Sequence, residues 1–434
     1  MSTPLLGPPR GMRDFYPDDM ALRNHIFRAW SEAAGRFGFE PYDACVVETL
    51  ELLKRKGGEE IAEQIYTFKD KSDRDLALRA EMTPTLARMV AARQNTLAFP
   101  IKWTTTAQCF RYERMSRGRK REHYQWNLDI IGEDGVAAEA EILACALTAL
   151  NQLGLGPDLA QVHVNSRALL AEMLLSLGIP QEHHAATFLA LDKRGKIGDE
   201  EIRALLGAAG LNAEAIAAVF RMLAVQTLDE AAALLAQTSP AVARLRALFA
   251  LLAAYGFGES LVFDIAVIRG LGYYTGIVFE AFDRARQFRA LFGGGRYDNL
   301  LASVGGRPMT AVGLGFGDVV IGELLTETGK LPAPGADGLL AIGYMDQAQQ
   351  AAALALAQAC RKAGRPVDLA LHADKPRAFF ARVGTGRFQY AIYLGPDDIA
   401  RGAVRVKRLT DRSEHELALA DLCANPALLE QPPC

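Results

Sequence analysis

The chain of 434 residues has no apolar run long enough to cross a membrane, which argues against a membrane-spanning protein. Its six cysteines (Cys45, Cys109, Cys145, Cys360, Cys423, Cys434) include no CxxC pair, which excludes a sequence-readable zinc site or disulfide framework. None of the seven histidines has metal-ligand spacing, and the adjacent His183 and His184 read as surface residues. No glycine run is followed by GK[ST], and no GxGxxG follows a strand pattern, so neither a P-loop nor a dinucleotide fingerprint is present. A formal net charge of −3 gives no global attraction for nucleic acid, so any such contact needs a local patch. The opening MSTPLLGPPRGMRDF lacks the charged-then-apolar pattern of a secretory signal, and a cytoplasmic location is expected. Internal repeats and low-complexity tracts are also lacking.

A patterned, globular chain remains. Leu22, Ile26, Phe27, Trp30, Ala33, Ala34 and Phe37 form one stripe of a helix over 19–38, ending at Gly38. An extended segment, Glu40 to Leu50, follows. Residues 61–79 read as a hairpin about the polar turn Lys69 to Arg74, and Thr85 to Gln94 as a helix with Thr83 as N-cap and Pro84 at its first position. Ala137 to Gly154 predicts a helix and Ala160 to Asn165 a strand. From there to about Phe257 the pattern is almost wholly helical, which suggests an inserted subdomain. Strand signals return at Leu261 to Ile268 and Tyr274 to Phe282. The break Leu331-Pro332-Ala333-Pro334-Gly335 reads as a linker to an alternating α/β unit.

Three stretches carry polar groups where a plain core would not. Cys109 to Gly132 predicts a second hairpin, with a strand running through Arg111-Tyr112-Glu113-Arg114 and a return strand through His123 to Ile131. Its tip holds Arg114, Arg117, Arg119, Lys120 and Arg121. Such a cluster is either a solvated loop or a polyanion contact. Arg111 and Glu113 alternate on one face, as a structural ion pair or as a phosphate and amine site; Gln125, Asn127 and Asp129 share another, as sheet-edge polar residues or as a ligand pocket. Arg269-Gly270-Leu271-Gly272-Tyr273-Tyr274-Thr275-Gly276 joins a cation, flexible backbone and tyrosine walls. Gly293-Gly294-Gly295-Arg296-Tyr297 permits close backbone approach to a ligand, or forms a turn or bulge.

Together these stretches resemble the histidyl-tRNA synthetase family of the class II aminoacyl-tRNA synthetases. Arg10 to Pro17 is similar to that family's N-terminal signature, Phe110-Arg111-Tyr112-Glu113 to the FRxE core of motif 2, and Leu78 to Thr83 to the LRPE(x)T segment. Arg269 to Glu280 resembles RGLxYYTGxVFE, and Ala311 to Gly317 the approach to motif 3. Tyr390 to Gly395 and Gly402 to Lys407 resemble the C-terminal anticodon-binding domain.

The resemblance implies an α+β fold: a class II antiparallel β-sheet core with flanking helices, a helical insertion, and a C-terminal α/β anticodon-binding domain. On this reading the catalytic core spans 1–174 and 258–331, the insertion 175–257 and the last domain 336–428. It also implies a homodimer that activates L-histidine with ATP-Mg²⁺ as substrate and transfers it to tRNA(His), without a protein-ligated metal. Arg111 and Arg269 would act on the α-phosphate, with Glu113 and His123 also toward ATP. Glu81, Met82, Thr83, Gln125, Asp129, Tyr273 and Tyr274 would hold histidine. Arg114, Arg117, Arg119, Lys120 and Arg121 would meet the tRNA. The family's motif 3 arginine position is Val320 here, with Arg307 as the candidate replacement. The competing readings are a histidine-sensing regulatory subunit of ATP phosphoribosyltransferase, which shares the catalytic fold, and a protein that only binds tRNA.

Overall fold

The computed structural model describes residues 6–54, 64–194, 197–235, 238–268, 274–332, 338–384 and 387–430. The chain divides into two compact units at Lys330–Leu331. The expected linker falls at this division, and its residues 333–335 lie outside the described ones.

In the first unit, helix α1 (Pro17–Arg36) opens with Pro17 at its first position and the Tyr16 N–H donating to Asp19 Oδ2 at 3.0 Å. Gly38, at φ +69°, turns the chain away from it. Short strands β1 (Glu40–Pro41) and β2 (Val47–Thr49) share the segment expected to be one extended run. They join different sheets, because β1 pairs with β5 while β2 pairs with β4. The first hairpin forms as β3 (Thr67–Lys69) and β4 (Asp75–Leu78). Helix α2 (Thr83–Arg93) begins earlier than its pattern predicts. Met82 holds the cap position without a side-chain bond, and Thr83 lies inside the first turn.

The long hairpin is β5 (Ile101–Phe110) and β6 (Glu122–Ile131), in register from Ile101↔Ile131 to Phe110↔Glu122. It is followed by helix α3 (Ala137–Gln152) and strand β7 (Ala160–Ser166). Helices α4 (Arg167–Ser176), α5 (His184–Leu191), α6 (Asp199–Ala208), α7 (Ala213–Met222), α8 (Leu228–Ala233) and α9 (Pro240–Ala254) come next. His184 corrects its surface reading: it is buried, and its Nε2 lies 3.0 Å from the Ile179 carbonyl oxygen. Strand β8 covers only Leu261–Phe263 of the expected run, and β9 starts at Ile277 and ends at Asp283. The glycine run is neither turn nor bulge. It forms strand β10 (Phe292–Arg296), buried throughout. Helix α10 (Leu300–Ser303), strand β11 (Ala311–Gly317) and helix α11 (Asp318–Glu327) complete the unit.

The main sheet runs β1-β5-β6-β11-β10-β9-β7-β8, antiparallel except for its two outermost pairs. Alternation along β6 sends Trp126, Leu128 and Ile130 into the helix-covered core and Gln125, Asn127 and Asp129 to the other face. Trp30 of α1 stacks on Trp126 with centroids 5.7 Å apart and tilts against Phe316 at 5.3 Å, which locks helix to sheet. Arg296 and Glu139 are buried beneath the sheet as a two-pronged pair, at 2.7 and 2.6 Å.

The second unit has strands β12 (Leu340–Tyr344), β13 (Val367–Leu369), β14 (Tyr390–Leu394), β15 (Ala403–Arg408) and β16 (Glu414–Ala418), in the order β13-β12-β14-β15-β16. The first three are parallel and the last two antiparallel. Helix α12 (Gln347–Lys362) covers one face through Leu356 and Cys360, and α13 (Pro376–Val383) packs Phe379 on the other. No described helix is long and apolar enough to cross a membrane.

Glu139→Ala would strand the Arg296 charge in the core. We expect it to lower stability by about 3–5 kcal/mol, read as a fall in the urea midpoint; an unchanged midpoint would show that the pair is not needed.

Candidate active site

Two central strands contribute almost no side chains to one face of the main sheet. Gly293 and Gly295 of β10 stand opposite Gly315 and Gly313 of β11. This floor lies between Glu280 and Val278 of β9 and the Gln125-Asn127-Asp129 row of β6. Its emptiness is used by neighbours. A Cβ on Gly313 would come within 2.3 Å of Asp129 Oδ1, and one on Gly315 within 2.4 Å of Gln125 Nε2. A Cβ on Gly295 would meet the Ile277 carbonyl oxygen at 2.6 Å and the Tyr274 ring at 3.0 Å. The glycines therefore let side chains from both flanks lean over the backbone.

Asp129 is the polar focus of this trough. Tyr297 donates to its Oδ1 at 2.6 Å, while Oδ2 has no hydrogen-bond partner among the described residues. Burial, helped by the Glu81 charge and opposed by the Tyr297 bond, raises its pKa to about 7. Glu81, Met82 and Thr83 are buried where β4 passes into α2. Arg79 anchors that passage, donating to the Gln108 carbonyl at 2.8 Å and the Ala44 carbonyl at 2.9 Å. Tyr42 approaches from beyond β1: its ring lies 5.6 Å from Trp103, which pairs with Asp129. Burial, then the Asp129 carboxylate, raises the Tyr42 hydroxyl well above its usual range. Tyr274 is buried in the cluster that also holds Tyr297 and Val278. Arg269 and Tyr273 lie outside the described residues.

Toward the loop end of the hairpin, Arg111 and Glu113 do not share a strand face as alternation predicted. Strand β5 stops at Phe110, and the Glu113 N–H turns back to the Arg111 carbonyl at 2.8 Å. Arg111 keeps one rung, its N–H to the Arg121 carbonyl at 2.9 Å, and its Nε donates to the Ala80 carbonyl at 3.0 Å. Burial, with the positive charges of Arg111 and Arg13 adding to it, pushes His123 down to about 3, so the ring is neutral. Arg13, from the N-terminal signature, reaches Asp318 at 2.9 Å, and the other oxygen of that carboxylate accepts the Tyr124 N–H at 2.8 Å.

The cationic loop folds onto the protein. Arg119 pairs with Glu113 at 2.6 Å, and Arg117 pairs with Glu327 and, at 3.7 Å, with Glu323. Arg121 lies 3.8 Å over the Tyr112 ring. Arg114 is exposed, and Lys120 lines a cleft with Arg13 and Glu323. Arg307 sits beyond the Ala311 end of β11, where its backbone N–H donates to Gln94, whereas Val320 follows the Gly317 end. The two ends of the strand separate them. Tyr42, Arg79, Arg13, Asp318 and Tyr297 were not among the sequence-predicted site residues. Only the Gly-x-Gly alternation in both β10 and β11 signalled that neighbouring side chains converge there.

The raised pKa of Asp129 has a definite consequence for stability. Its folded value lies above the 3.8 of an exposed carboxyl, so ionisation favours unfolding: stability falls as pH rises from about 4 toward 7, and the loss is complete above about 7. Asp129→Asn keeps an oxygen for Tyr297 and removes the charge. The variant should melt higher than the parent above about pH 8, and the gap should shrink below about pH 6. A gap that widens at acid pH would contradict this.

Residues 11–317 match the histidyl-tRNA synthetase family, and residues 338–425 match the anticodon binding domain family. A histidine–tRNA ligase of Arabidopsis thaliana, described as chloroplastic/mitochondrial, is 41% identical over 417 residues, covering 96% of this chain and 86% of that protein. One from Opitutus terrae is 40% identical, covering 94% of each chain. Among solved structures, histidyl-tRNA synthetase from Nostoc superposes with a TM-score of 0.83 at 22% identity, over 97% of this chain and 99% of that one. A Bacillus halodurans structure described as an ATP phosphoribosyltransferase regulatory subunit/histidyl-tRNA synthetase gives 0.74 at 23% identity, over 91% and 99%. These two likenesses carry the fold, class II α+β, and the sequence matches carry the family: the chain belongs to the histidyl-tRNA synthetases.

Proposed function

We propose that this protein is a histidine–tRNA ligase, which forms histidyl-adenylate from L-histidine and ATP and then esterifies the 3′ end of tRNA(His). The observation that carries the reading is the glycine-floored trough with Asp129 and Glu81 inside it, in a chain related to histidine–tRNA ligases along nearly its whole length. A pocket that buries carboxyl groups suits a small ligand bearing an ammonium and an imidazole, both of which donate hydrogen bonds. Glu81, Met82, Thr83, Gln125, Asp129, Tyr273 and Tyr274 are assigned to histidine on this reading.

In the first step a histidine carboxylate oxygen bonds to the α-phosphorus while the bond to pyrophosphate breaks. In the second a ribose hydroxyl of the tRNA end attacks the activated carbonyl, and AMP leaves with the bonding pair. Neither step needs a protein nucleophile; positioning and charge stabilisation suffice. Arg111, held by the Ala80 carbonyl, is assigned to the α-phosphate, and Arg269 is assigned to it from the opposite side. His123, neutral and half-buried, offers a ring face to adenine, and Glu113 an acceptor for its amine once Arg119 releases it. Mg²⁺ arrives with ATP and adds charge neutralisation at the phosphates. Arg114, Arg117, Arg119, Lys120 and Arg121 form a contact for the tRNA end that weakens with salt. A homodimer and a cytoplasmic location complete the reading.

The Bacillus halodurans neighbour keeps the regulatory-subunit alternative in view. The anticodon-binding match at 338–425 and the retained loop cations favour the ligase. Purified protein should catalyse histidine-dependent ATP–pyrophosphate exchange and charge tRNA(His); absence of exchange at saturating histidine and ATP-Mg²⁺ would refute the ligase. Arg111→Ala should lower exchange by roughly 10²–10³-fold. Gly313→Ala, whose methyl would displace the Asp129 carboxylate, should raise the histidine KM at least about tenfold, or about 1.4 kcal/mol, with the ATP KM little changed.

A further inference from the structure

Pyrophosphate leaves ATP with several negative charges, and a cation already engaged by a carboxylate neutralises it only after that pair breaks. Three of the cations at the loop end of the sheet are so engaged. Arg13 is bound to Asp318, Arg117 to Glu323 and Glu327, and Arg119 to Glu113. Arg121 is spent on the Tyr112 ring and on the carbonyls of Glu113 and Arg10. Helix α11, on which the loop rests, presents acids there: Asp318, Glu323 and Glu327, with the apolar Val320 between them. Nothing on that helix offers a positive charge to a polyphosphate.

Arg289 differs from all of these. It stands in the turn between β9 and β10, exposed, with no ion-pair or hydrogen-bond partner among the described residues. Its stem lies against the loop. The Cβ position of Gly118 is 3.8 Å from Arg289 Cδ, 3.9 Å from Arg289 Cγ and 3.1 Å from Val320 Cγ2. One point of the loop therefore lies beside both the apolar site on α11 and the methylene stem of Arg289. The turn also emerges at the right end of the sheet. Phe292, three residues on, pairs with Phe316 beside Gly317 and Asp318, the end where Gln125 pairs and where Arg111 and His123 sit.

We propose that Arg289 binds the β- and γ-phosphates of ATP and the departing pyrophosphate, supplying from the β9–β10 turn the charge that Val320 cannot. The proposal rests on the ligase reading. A planar guanidinium fork matches phosphate oxygens better than an ammonium does, so Arg289→Lys should recover only part of the function. Because the side chain is exposed and has no polar partner among the described residues, Arg289→Ala should melt at the parent temperature.

The test compares probes with and without the outer phosphates. In exchange assays Arg289→Ala should raise the KM for ATP and for magnesium pyrophosphate at least tenfold. Histidine binding without nucleotide, and inhibition by AMP, should stay within twofold. Unchanged constants for ATP and pyrophosphate would overturn the proposal. So would a parallel loss of AMP affinity, which would mark a general distortion. If the parent itself shows no exchange, the ligase reading fails separately. Calorimetric titration with magnesium pyrophosphate then decides Arg289: binding to the parent that is lost in Arg289→Ala supports the assignment, and no binding to the parent refutes it.

Discussion

The close pairing of two glycine-bearing strands, β10 and β11, is the constraint on which the site depends. With Gly293, Gly295, Gly313 and Gly315 on one face, the sheet keeps its hydrogen-bonded ladder and still leaves a trough. Such strands are weak by themselves, since glycine loses more backbone freedom on ordering and adds no packing. The opposite face compensates. Phe316 and Trp126 project into the helix layer and meet Trp30 of α1, and Phe292 packs on Phe316. One face thus provides cohesion, and the other is released for ligand.

Electrostatics divides the molecule in the same way. Beneath the sheet, Arg296 and Glu139 are buried and fully paired, a structural use of charge. Within the trough, Asp129 is buried with one oxygen unpartnered among the described residues, and burial raises its pKa. A buried carboxyl with one oxygen committed and one uncommitted is poorly suited to a core and well suited to receive a donor from a ligand. At the loop end, Arg13, Arg117 and Arg119 are tied to carboxylates of the same chain, so a polyanion that binds those three must exchange their partners.

Much of this was legible locally. The α1 stripe, both hairpins and the alternating C-terminal unit follow periods of 3.6 and 2, and they appear in the structure with shifts of a few residues at their ends. The misreadings share one cause. Arg111-Tyr112-Glu113-Arg114 alternates as a strand does, yet its partner strand ends at Glu122, so pairing stops at Phe110. The run Gly293–Arg296 left a turn or bulge open beside a close backbone approach to a ligand, because glycine disfavours strands, but two neighbouring strands clamp it from both sides. His184 looked exposed beside another histidine, and helix packing buried it.

The sequence by itself determined the element types, the cationic hairpin loop and the contiguous signatures of the family, because these depend on residues near one another along the chain. Tertiary structure alone decided which polar groups meet. The order β5-β6-β11-β10-β9 brings Tyr297 to Asp129, 168 positions earlier, and the N-terminal Arg13 to Asp318, 305 positions later. It also separates Arg307 from Val320 and sets Arg289 beside the loop. Strand order is fixed by the collective burial of a whole sheet face, a quantity that no single stretch of sequence contains.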